Sequence, residues 1–352
     1  MESVKSHAHD VHFDELGEAS LKQYLAQKAY SKIFVLTDTN TKQHCLPLFS
    51  GILDRDIDAV FEIKPGEEHK TIPTCSEVWE MLSNYGGDRR SLLINLGGGV
   101  VTDLGGFVAS TFKRGIDFIN VPTTLLAMVD ASIGGKTGVD LGPLKNQVGV
   151  INQPEMVLIF PRFLNTLEDR QVFSGYAEML KHGLIKDERY WEDLRSLKNF
   201  ETLGHIKKSI AIKNEIVLQD PAEKGLRKIL NFGHTLGHAI ESYFLAASEK
   251  EMLLHGEAIA IGMILEGYLS HRLTGLSKVE LQEIKTTFLA VFKKVHFTKT
   301  DIENILSLLK YDKKNSYGNI NFVLLQRIGK GVFDIKVKDH LFEEAFAYYS
   351  EL

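Results

Sequence analysis

The feature that most constrains the fold is an alternation of strand and helix signals over the first 166 residues. Short apolar runs at 32–38, 91–99, 117–124 and 155–161 each end in a polar turn, in glycines or at a proline, which is typical of buried strands. A helical pattern occupies 74–85 between two of them. This alternation predicts a mostly parallel sheet, with ligand-binding groups in the loops that follow the carboxyl ends of its strands.

The second half of the chain has a different pattern of apolar residues. From Leu167 onward long helical periodicities dominate, and 319–325 and 332–337 are the late strand candidates. A chain of 352 residues is also too long for one ordinary core. We therefore predict an α/β N-terminal domain over 1–166, with a mostly parallel, Rossmann-like sheet, and an all-α C-terminal domain over 167–352.

Composition excludes several classes of protein. A net charge of −5 argues against a broad nucleic-acid surface, and no apolar run of about 18 residues predicts a membrane span. The polar N-terminus is unlike a signal peptide. Two cysteines, Cys45 and Cys75, without metal-type spacing suit a reducing cytoplasm. His7, His9 and His12 are expected to lie in a frayed, solvated terminus.

A histidine-rich segment, 231–241, is the first candidate for chemistry. His234 and His238 are four residues apart, so they share one face if the segment is helical. Among 13 histidines such a pair also arises by chance, and it is then a structural or surface feature. Spacing alone makes these two the ligand pair and leaves His255 as a guess. With Glu178, however, the chain offers nitrogens and an oxygen from separate helical patterns, which is how catalytic zinc is usually held.

Two loops after predicted strands could hold a nucleotide. Segment 97–103 follows a strand and precedes a helix, where glycines let backbone amides approach a pyrophosphate. Thr102 replaces the last glycine of the G-x-G-x-x-G fingerprint, so a tight structural turn is an equal alternative. Asp38 and Asn40 end the first clear strand, where a carboxylate could bind a ribose hydroxyl. A turn or an N-cap explains them equally well.

Basic residues accompany these motifs. The glycine-rich segment 130–146 carries Lys136 and Lys145, but it lacks P-loop spacing because Asp130 stands where the first glycine should be. It could still bind phosphate through lysines and backbone amides. Further basic residues of the helical half are Lys181, Lys213 and Arg227. Each alone is more often a solvated residue, whereas together, in an acidic chain, they favour an anionic substrate.

Long ordered motifs along most of the chain then point to a family. They are T-D-T-N (37–40), P-G-E-E-H-K (65–70), G-G-G-V-V-T-D (97–103), V-P-T-T-L-L-A-M-V-D-A-S-I-G-G-K-T-G (121–138), K-N-Q-V-G (145–149), S-G-Y-A-E-M-L-K-H-G (174–183), L-R-K-I-L-N-F-G-H-T-L-G-H-A-I-E (226–241), L-H-G-E (254–257) and Y-D-K-K-N (311–315). With them the chain closely resembles the 3-dehydroquinate synthase family of sugar-phosphate cyclases.

The resemblance implies two cofactors. A divalent metal, zinc or cobalt, would be bound by Glu178, His234 and His255, and His238 would act in catalysis instead of as a ligand. NAD would be bound by the N-terminal domain. The implied NAD-binding residues are Asp38, Asn40, Glu67, Lys70, Gly99, Val100, Val101, Thr102, Asp103, Thr123, Thr124, Lys136, Lys145, Phe163, Leu164, Asn165 and Thr166.

The resemblance also implies the reaction and the substrate pocket. An anionic small molecule, 3-deoxy-D-arabino-heptulosonate 7-phosphate, would be oxidised at C5 by NAD⁺, lose phosphate, be reduced again and close by an intramolecular aldol reaction. The implied pocket residues are Arg114, Asp130, Lys136, Lys145, Asn146, Lys181, Lys213, Arg227, Asn231, His238 and either Lys313 or Lys314. The resemblance further implies a cytoplasmic homodimer in the shikimate pathway.

Three other functions have to be weighed. Another sugar-phosphate cyclase would share the fold, NAD and the metal but diverge in the pocket, whereas this chain retains Asn146, Lys213 and Asn231. An NAD- and metal-dependent polyol dehydrogenase has no need of so many basic residues around a phosphate. A non-catalytic sensor would be expected to lose a metal ligand or His238, and all four of these residues are present.

Overall fold

The structure, a computed structural model, describes residues 2–6, 9–142, 144–196, 202–247, 249–309 and 320–351. It divides into two units. Unit 1 comprises Met1–Val172 with Glu201–Asn214, and unit 2 comprises Phe173–Phe200 with Glu215–Leu352. The domain boundary predicted between residues 166 and 167 stays a prediction. The two units divide after Val172 instead, and they also assign Glu201–Asn214 to unit 1.

Unit 1 contains nine strands and five α-helices up to residue 159 among its described residues. The strands are β1 (Val4–Lys5), β2 (Asp10–Phe13), β3 (Lys32–Asp38), β4 (Ala59–Ile63), β5 (Ser91–Gly97), β6 (Asp117–Pro122), β7 (Lys136–Leu141), β8 (Leu144–Ile151) and β9 (Met156–Ile159). The helices are α1 (Asp14–Gln27), α2 (Thr39–His44), α3 (Leu46–Ser50), α4 (Ile72–Asn84) and α5 (Gly99–Thr111).

Seven of these strands form one sheet in the order β1-β2-β9-β6-β5-β3-β4. Only the β1–β2 pair at its edge is antiparallel, and all other neighbours in this sheet are parallel. This confirms the predicted mostly parallel sheet. Because parallel strands point the same way, β3, β5, β6 and β9 end at one edge, which we call the carboxyl edge.

The centre of the sheet is held by burial on both faces. Every residue of β5 is buried, as expected of a parallel strand covered by helices. Phe34 of β3 and Leu93 of β5 lie in one apolar cluster with Val78 of α4 and Leu104 of α5. This packing fixes the turn between β5 and α5.

The N-terminal segment differs from the prediction of a frayed end. Strand β2 pairs in parallel with β9, and Val11 and Phe13 are fully buried. His9 is buried and His12 accepts or donates a hydrogen bond with Ser3, so neither is a solvated terminal residue. The four-residue strand is too short and too polar to give a clear sequence signal. His7 lies outside the described residues.

The glycine-rich segment 130–146 forms part of a hairpin that the sequence analysis did not predict. Strands β7 and β8 form an antiparallel hairpin in which Gly138 pairs with Gly149. A Cβ atom at Gly138 would lie 2.5 Å from the carbonyl oxygen of Val148. Glycine at this position therefore permits close approach of the two strands.

The rest of the chain is helical apart from one hairpin among the described residues. The helices are α6 (Asp169–Lys186), α7 (Glu188–Arg195), α8 (Leu203–Gln219), α9 (His234–Ala246), α10 (His255–Leu273), α11 (Lys278–Val291), α12 (Lys299–Leu308) and α13 (His340–Ser350). Strands β10 (Asn321–Arg327) and β11 (Lys330–Lys336) form the hairpin. This hairpin confirms both late strand candidates. It also means that the second half is not purely helical, as the predicted all-α domain would be. No helix within the described ranges has the length and apolarity to cross a membrane.

Candidate functional site

Three helices of unit 2 bring together the predicted metal ligands. Glu178 lies in the middle of α6 and is fully buried, whereas His234 and His255 are the first residues of α9 and α10. The Nε2 atoms of the two histidines lie 3.4 and 3.6 Å from the same oxygen, Oε1 of Glu178. The sequence could not show this convergence, because the ligands come from separate helices.

The other ring nitrogens have partners that orient the imidazoles. Nδ1 of His234 lies 3.0 Å from the carbonyl oxygen of Phe232, and Nδ1 of His255 lies 3.2 Å from Oε2 of Glu241. When each Nδ1–H donates to its oxygen, each Nε2 presents a lone pair towards Glu178, as in carboxylate–histidine–metal arrangements. Zinc–nitrogen bonds of about 2.0–2.1 Å place tetrahedral ligand atoms about 3.3 Å apart. The observed separations fit this spacing, so these residues could hold a divalent metal.

His238 lies beside this centre. Its ring centroid is 5.1 Å from that of His234 and 5.7 Å from that of His255. One nitrogen from each of the three imidazoles can be chosen so that all lie within 4.8 Å of one another. The ligand pair favoured by spacing is therefore also compatible with a metal. The choice of Glu178 over His238 stays a prediction.

Negative charge dominates the electrostatics of this centre. Burial alone would lower the pKa of His255, but the carboxylates of Glu241 and Glu178 outweigh it and raise that pKa to about 9. Lys181, one turn after Glu178 on α6, is buried and forms an ion pair with it. A divalent cation would take over the compensation that a proton on His255 provides.

Two further predicted pocket residues of unit 2 lie on the segment that precedes α9. The Arg227 side chain is buried and donates to the carbonyl oxygen of Pro221 at 2.8 Å. Its backbone N–H donates to Asp220, and Asn231 donates to Glu223 at 2.6 Å. These contacts fix the loop that carries Arg227 and Asn231.

Unit 1 collects most of the predicted cofactor residues at its carboxyl edge. The loops after β3, β5, β6 and β9 all start there. The residues that they carry are Asp38, Asn40, Gly99, Val100, Val101, Thr102, Asp103, Thr123, Thr124, Phe163, Leu164, Asn165 and Thr166.

The turn between β5 and α5 has the shape of an anion cradle. Helix α5 starts at Gly99, and a Cβ atom on its N-cap residue Gly98 would lie 3.0 Å from the methyl carbon of Thr124. A Cβ atom at Gly97 would lie 2.5 Å from Val101. Only glycine therefore fits this narrow turn, which leads directly into a 13-residue helix whose N-terminus favours anions. This geometry fits the diphosphate of a dinucleotide.

A polar network supports the same region. Nζ of the buried Lys70 donates to Asp103 at 2.7 Å and to Asn146 at 2.6 Å, and Lys145 pairs with Glu67 at 3.1 Å. Burial opposes the charge on Lys70, but the carboxylates of Asp103 and Glu67 raise its pKa overall. The structure thus brings together five residues from three separate stretches of the sequence.

Other predicted residues have contacts of their own. Asp38 caps the N-terminus of α2 by accepting from the backbone N–H of Thr41 at 2.8 Å, which confirms the N-cap interpretation. Asn40 is exposed on the same helix. Asp130 accepts from Nζ of Lys213 at 2.7 Å, within unit 1.

Some predicted residues are not brought to these groups. Arg114 follows the C-terminal end of α5 and precedes β6, so it lies exposed at the amino edge of the sheet, opposite the carboxyl edge. Lys136 is exposed at the start of β7. Lys313 and Lys314 lie outside the described residues.

Two carboxylates were missed by the sequence analysis. Glu241, which contacts His255, lies seven residues after His234, so helical spacing could have found it. Glu266 is fully buried on α10 and hydrogen-bonds to the start of α9. The sequence signal for Glu266 is a single carboxylate within the apolar helical pattern of α10.

The architecture is that of the sugar-phosphate cyclases. A 2-epi-5-epi-valiolone synthase from Streptomyces hygroscopicus, solved with NAD⁺ and Zn²⁺, is 26% identical, with a TM-score of 0.83 and 99% of each chain covered. A 2-deoxy-scyllo-inosose synthase, solved with carbaglucose-6-phosphate, NAD⁺ and Co²⁺, is 25% identical, with a TM-score of 0.82 and 99% of each chain covered.

The particular family follows from the sequence comparisons. The 3-dehydroquinate synthase N-terminal model matches residues 60–174, and the C-terminal model matches residues 175–315. A 3-dehydroquinate synthase of Parabacteroides distasonis is 41% identical over 340 residues, which cover 95% of this chain and 96% of the relative. The chain belongs to the 3-dehydroquinate synthase family, and the resemblance found in the sequence is confirmed.

Proposed function

We propose that this protein is a 3-dehydroquinate synthase, a phosphorus–oxygen lyase of the shikimate pathway. It converts 3-deoxy-D-arabino-heptulosonate 7-phosphate to 3-dehydroquinate and phosphate, with NAD⁺ and zinc or cobalt as cofactors. The observation that carries the proposal is the pair of Nε2 atoms that face one oxygen of the buried Glu178. These three side chains form a centre suited to metal-assisted chemistry, as the family assignment requires.

We assign the metal to Glu178, His234 and His255. These residues would hold an ion that supplies Lewis acidity for the deprotonation of a substrate hydroxyl. Glu241 holds His255 in the tautomer that leaves Nε2 for the metal. Lys181, now paired with Glu178, becomes a donor for a substrate oxygen when the cation compensates that carboxylate.

His238 is assigned to proton transfer at the C5 hydroxyl. A neutral imidazole near physiological pH can accept that proton and return it. Its position one turn after His234 on α9 places it beside the centre without requiring it to be a ligand. Arg227 is assigned to the substrate carboxylate, because a guanidinium forms paired hydrogen bonds with that group.

NAD⁺ is assigned to the carboxyl edge of unit 1. When bound, it would supply a hydride acceptor for the oxidation of C5 and a hydride donor for the later reduction. The cradle at Gly97–Gly99 fits the diphosphate, and the network around Lys70 keeps the adjoining loops in place. The solved cyclase from Streptomyces hygroscopicus contains NAD⁺ and Zn²⁺, which supports the same pair of cofactors here.

Lys136, Lys145 and Asn146 are assigned to the substrate phosphate, and Asp130, Lys213 and Asn231 to its hydroxyls. Arg114 is given no role in this chain's own pocket, because it is exposed at the amino edge of the sheet. Lys313 or Lys314 would add to the phosphate-binding set. A location in the cytoplasm and a homodimeric state remain predictions, and light scattering of the purified protein measures the second directly.

The decisive experiment supplies the purified protein with the heptulosonate phosphate, NAD⁺ and Zn²⁺ and identifies the carbocyclic product by NMR and mass spectrometry. We expect 3-dehydroquinate and an equal amount of inorganic phosphate. A different carbocycle, formed only from another sugar phosphate, would make the protein another member of the cyclase superfamily. Oxidised substrate that retains its phosphate would favour a polyol dehydrogenase.

A further inference from the structure

A buried carboxylate outside the proposed ligand set holds the start of α9. Glu266 of α10 has no solvent exposure, and its Oε2 accepts from the backbone N–H of Gly233 at 2.6 Å. Its Oε1 accepts from the backbone N–H of Leu236 at 3.0 Å. The two hydrogen bonds thus bracket His234, which lies between these residues in the chain.

This carboxylate replaces a local helix cap. The N-cap residue of α9 is Gly233, with φ of 79°, and no side chain caps this end from within the helix. The first N–H groups of a helix need acceptors, and a negative charge at this end is favourable. Burying a carboxylate is costly unless it is fully hydrogen-bonded, so its presence here indicates a specific role.

Helices α9 and α10 are also pressed together at this point. A Cβ atom at Gly237 would lie 2.7 Å from the side chain of Ile259, and one at Gly262 would overlap the carbonyl oxygen of Gly233. Glu266 lies one turn after Gly262 on α10. Backbone contact and carboxylate together therefore set the position of the first turn of α9 relative to α10, whose first residue is His255.

We infer that Glu266 is a positioning residue of the metal centre. It does not belong to the ligand set, and it acts through α9 by holding His234 at the distance from Glu178 and His255 that one metal ion requires. The inference rests on the proposed metal site of Glu178, His234 and His255. It differs from a purely stabilising role, because it predicts a change in metal affinity and in metal geometry.

The test compares Glu266→Gln with Asp301→Asn as a matched control. Asp301 is a buried carboxylate of unit 2 that also caps a helix, α12, through the backbone N–H of Thr298 at 2.8 Å. Both changes keep side-chain volume and remove one charged acceptor. Glutamine can accept from only one of the two α9 amides through its oxygen, because its NH₂ group faces the other donor.

Three measurements separate the possibilities. Chelator competition gives the Zn²⁺ affinity, the visible spectrum of the Co²⁺-loaded protein reports coordination geometry, and the Tm of the metal-free protein reports stability. We expect Glu266→Gln to weaken Zn²⁺ binding about tenfold, near the lower end of effects seen for groups that orient ligands. Its Co²⁺ spectrum should also change. Asp301→Asn should lower Tm while leaving Zn²⁺ affinity and the Co²⁺ spectrum unchanged.

The outcomes distinguish this inference from the proposed function. Absence of Zn²⁺ binding in the unmutated protein, or full binding by His234→Ala, would refute the proposed metal site itself. If that site holds but Glu266→Gln binds Zn²⁺ as the unmutated protein does, the positioning role is wrong. Glu266→Asp serves where the glutamine variant does not fold. If neither folds, Glu266 is a folding residue and the inference is overturned.

Discussion

At the scale of single residues, the chemistry of the metal centre depends on which nitrogen each histidine presents. Nδ1 of His234 is hydrogen-bonded to the carbonyl oxygen of Phe232, and Nδ1 of His255 to the carboxylate of Glu241. Both Nε2 atoms therefore face Glu178. Sequence spacing selected His234 and His238, because spacing detects neighbours on one helix only. The convergence of three helices is a tertiary property, and the resemblance to a family supplied it before the structure did.

We predict that Glu178→Gln, His234→Ala and His255→Ala each lose bound metal and activity while remaining folded. Each removes a proposed direct ligand, whereas the orienting group Glu241 should cost only about 10–100-fold in affinity when changed to Gln. Metal content after gel filtration, with circular dichroism as the folding check, measures both. Full metal retention by one of the three variants would remove that residue from the ligand set.

His238→Ala should behave differently from these three variants. We expect it to retain stoichiometric metal and lose about 10²–10⁴-fold in kcat, the usual contribution of a positioned acid–base group. Metal analysis and steady-state kinetics on the same preparation provide the comparison. A metal-free His238→Ala protein would instead assign the metal to the three histidines, the set that also satisfies the distances.

At the scale of elements, the turn from β5 to α5 shows how a fold creates a binding surface. The apolar run and its terminal glycines predicted a strand, a turn and a helix, and all three are present. They could not distinguish a structural turn from an anion cradle. The space around Gly98 depends on Thr124, which lies in the loop after the neighbouring strand β6 and is not part of the glycine motif.

Gly98→Val should weaken NAD⁺ binding by at least about tenfold and leave Zn²⁺ affinity unchanged. Even a Cβ atom at this position would lie 3.0 Å from the methyl carbon of Thr124, so the larger side chain fills the cradle. Isothermal titration with NAD⁺ measures the effect. Gly204→Val is the control, because the nearest atom to its Cβ position is 4.0 Å away. Equal NAD⁺ affinity in both variants would place the diphosphate elsewhere.

Other elements show where sequence signals fail. Strand β2 escaped prediction because it has only four residues, D-V-H-F, which are too few to show a clear alternation of polar and apolar side chains. Pairing with β9 stabilises it, and that partner lies far along the chain. The β10–β11 hairpin was visible because each strand has seven residues, with a continuous apolar run in β10 (F-V-L-L) and three apolar residues beside a polar one in β11 (V-F-D-I).

The cap of α12 provides a test of pH dependence. Burial would raise the pKa of Asp301, but hydrogen bonds from Tyr243, Lys250 and the backbone of Thr298 lower it below its ordinary value of 3.8. A carboxyl group with a lowered pKa stabilises the folded state above its unfolded pKa, and this stabilisation is lost as the pH falls through the folded pKa.

Asp301→Asn should therefore cost about 1–3 kcal/mol of unfolding free energy at neutral pH. The difference from the unmutated protein should shrink progressively as the pH falls from about 4, near the unfolded pKa, through the lower pKa of the folded carboxyl group. Urea unfolding at several pH values measures it. A difference that stays constant down to strongly acidic pH would mean that the contribution of Asp301 is packing and not charge.

At the scale of the whole molecule, the chain contains a dinucleotide-type α/β unit and a helical unit with a histidine–carboxylate centre. The alternation of strand and helix signals predicted the first architecture, and helical periodicity predicted the second, since both are local features of the sequence. The segment 201–214 belongs to unit 1 despite following the first helices of unit 2, and no local pattern indicates this. A dehydrogenase could use the same two kinds of site, so architecture alone does not define the net reaction.

The fate of the hydride separates the two reactions. In the proposed cycle NAD⁺ oxidises C5 and the hydride returns to the same carbon, so NAD⁺ is required but not consumed. With NAD⁺ far below the substrate concentration, phosphate and carbocycle should be released in equal amounts over many turnovers while the absorbance of reduced nicotinamide stays nearly flat. Gly98→Val should need more NAD⁺ for the same rate. Reduced nicotinamide that accumulates with each turnover, without phosphate release, would instead mean that oxidation is the whole reaction and that the protein is a dehydrogenase.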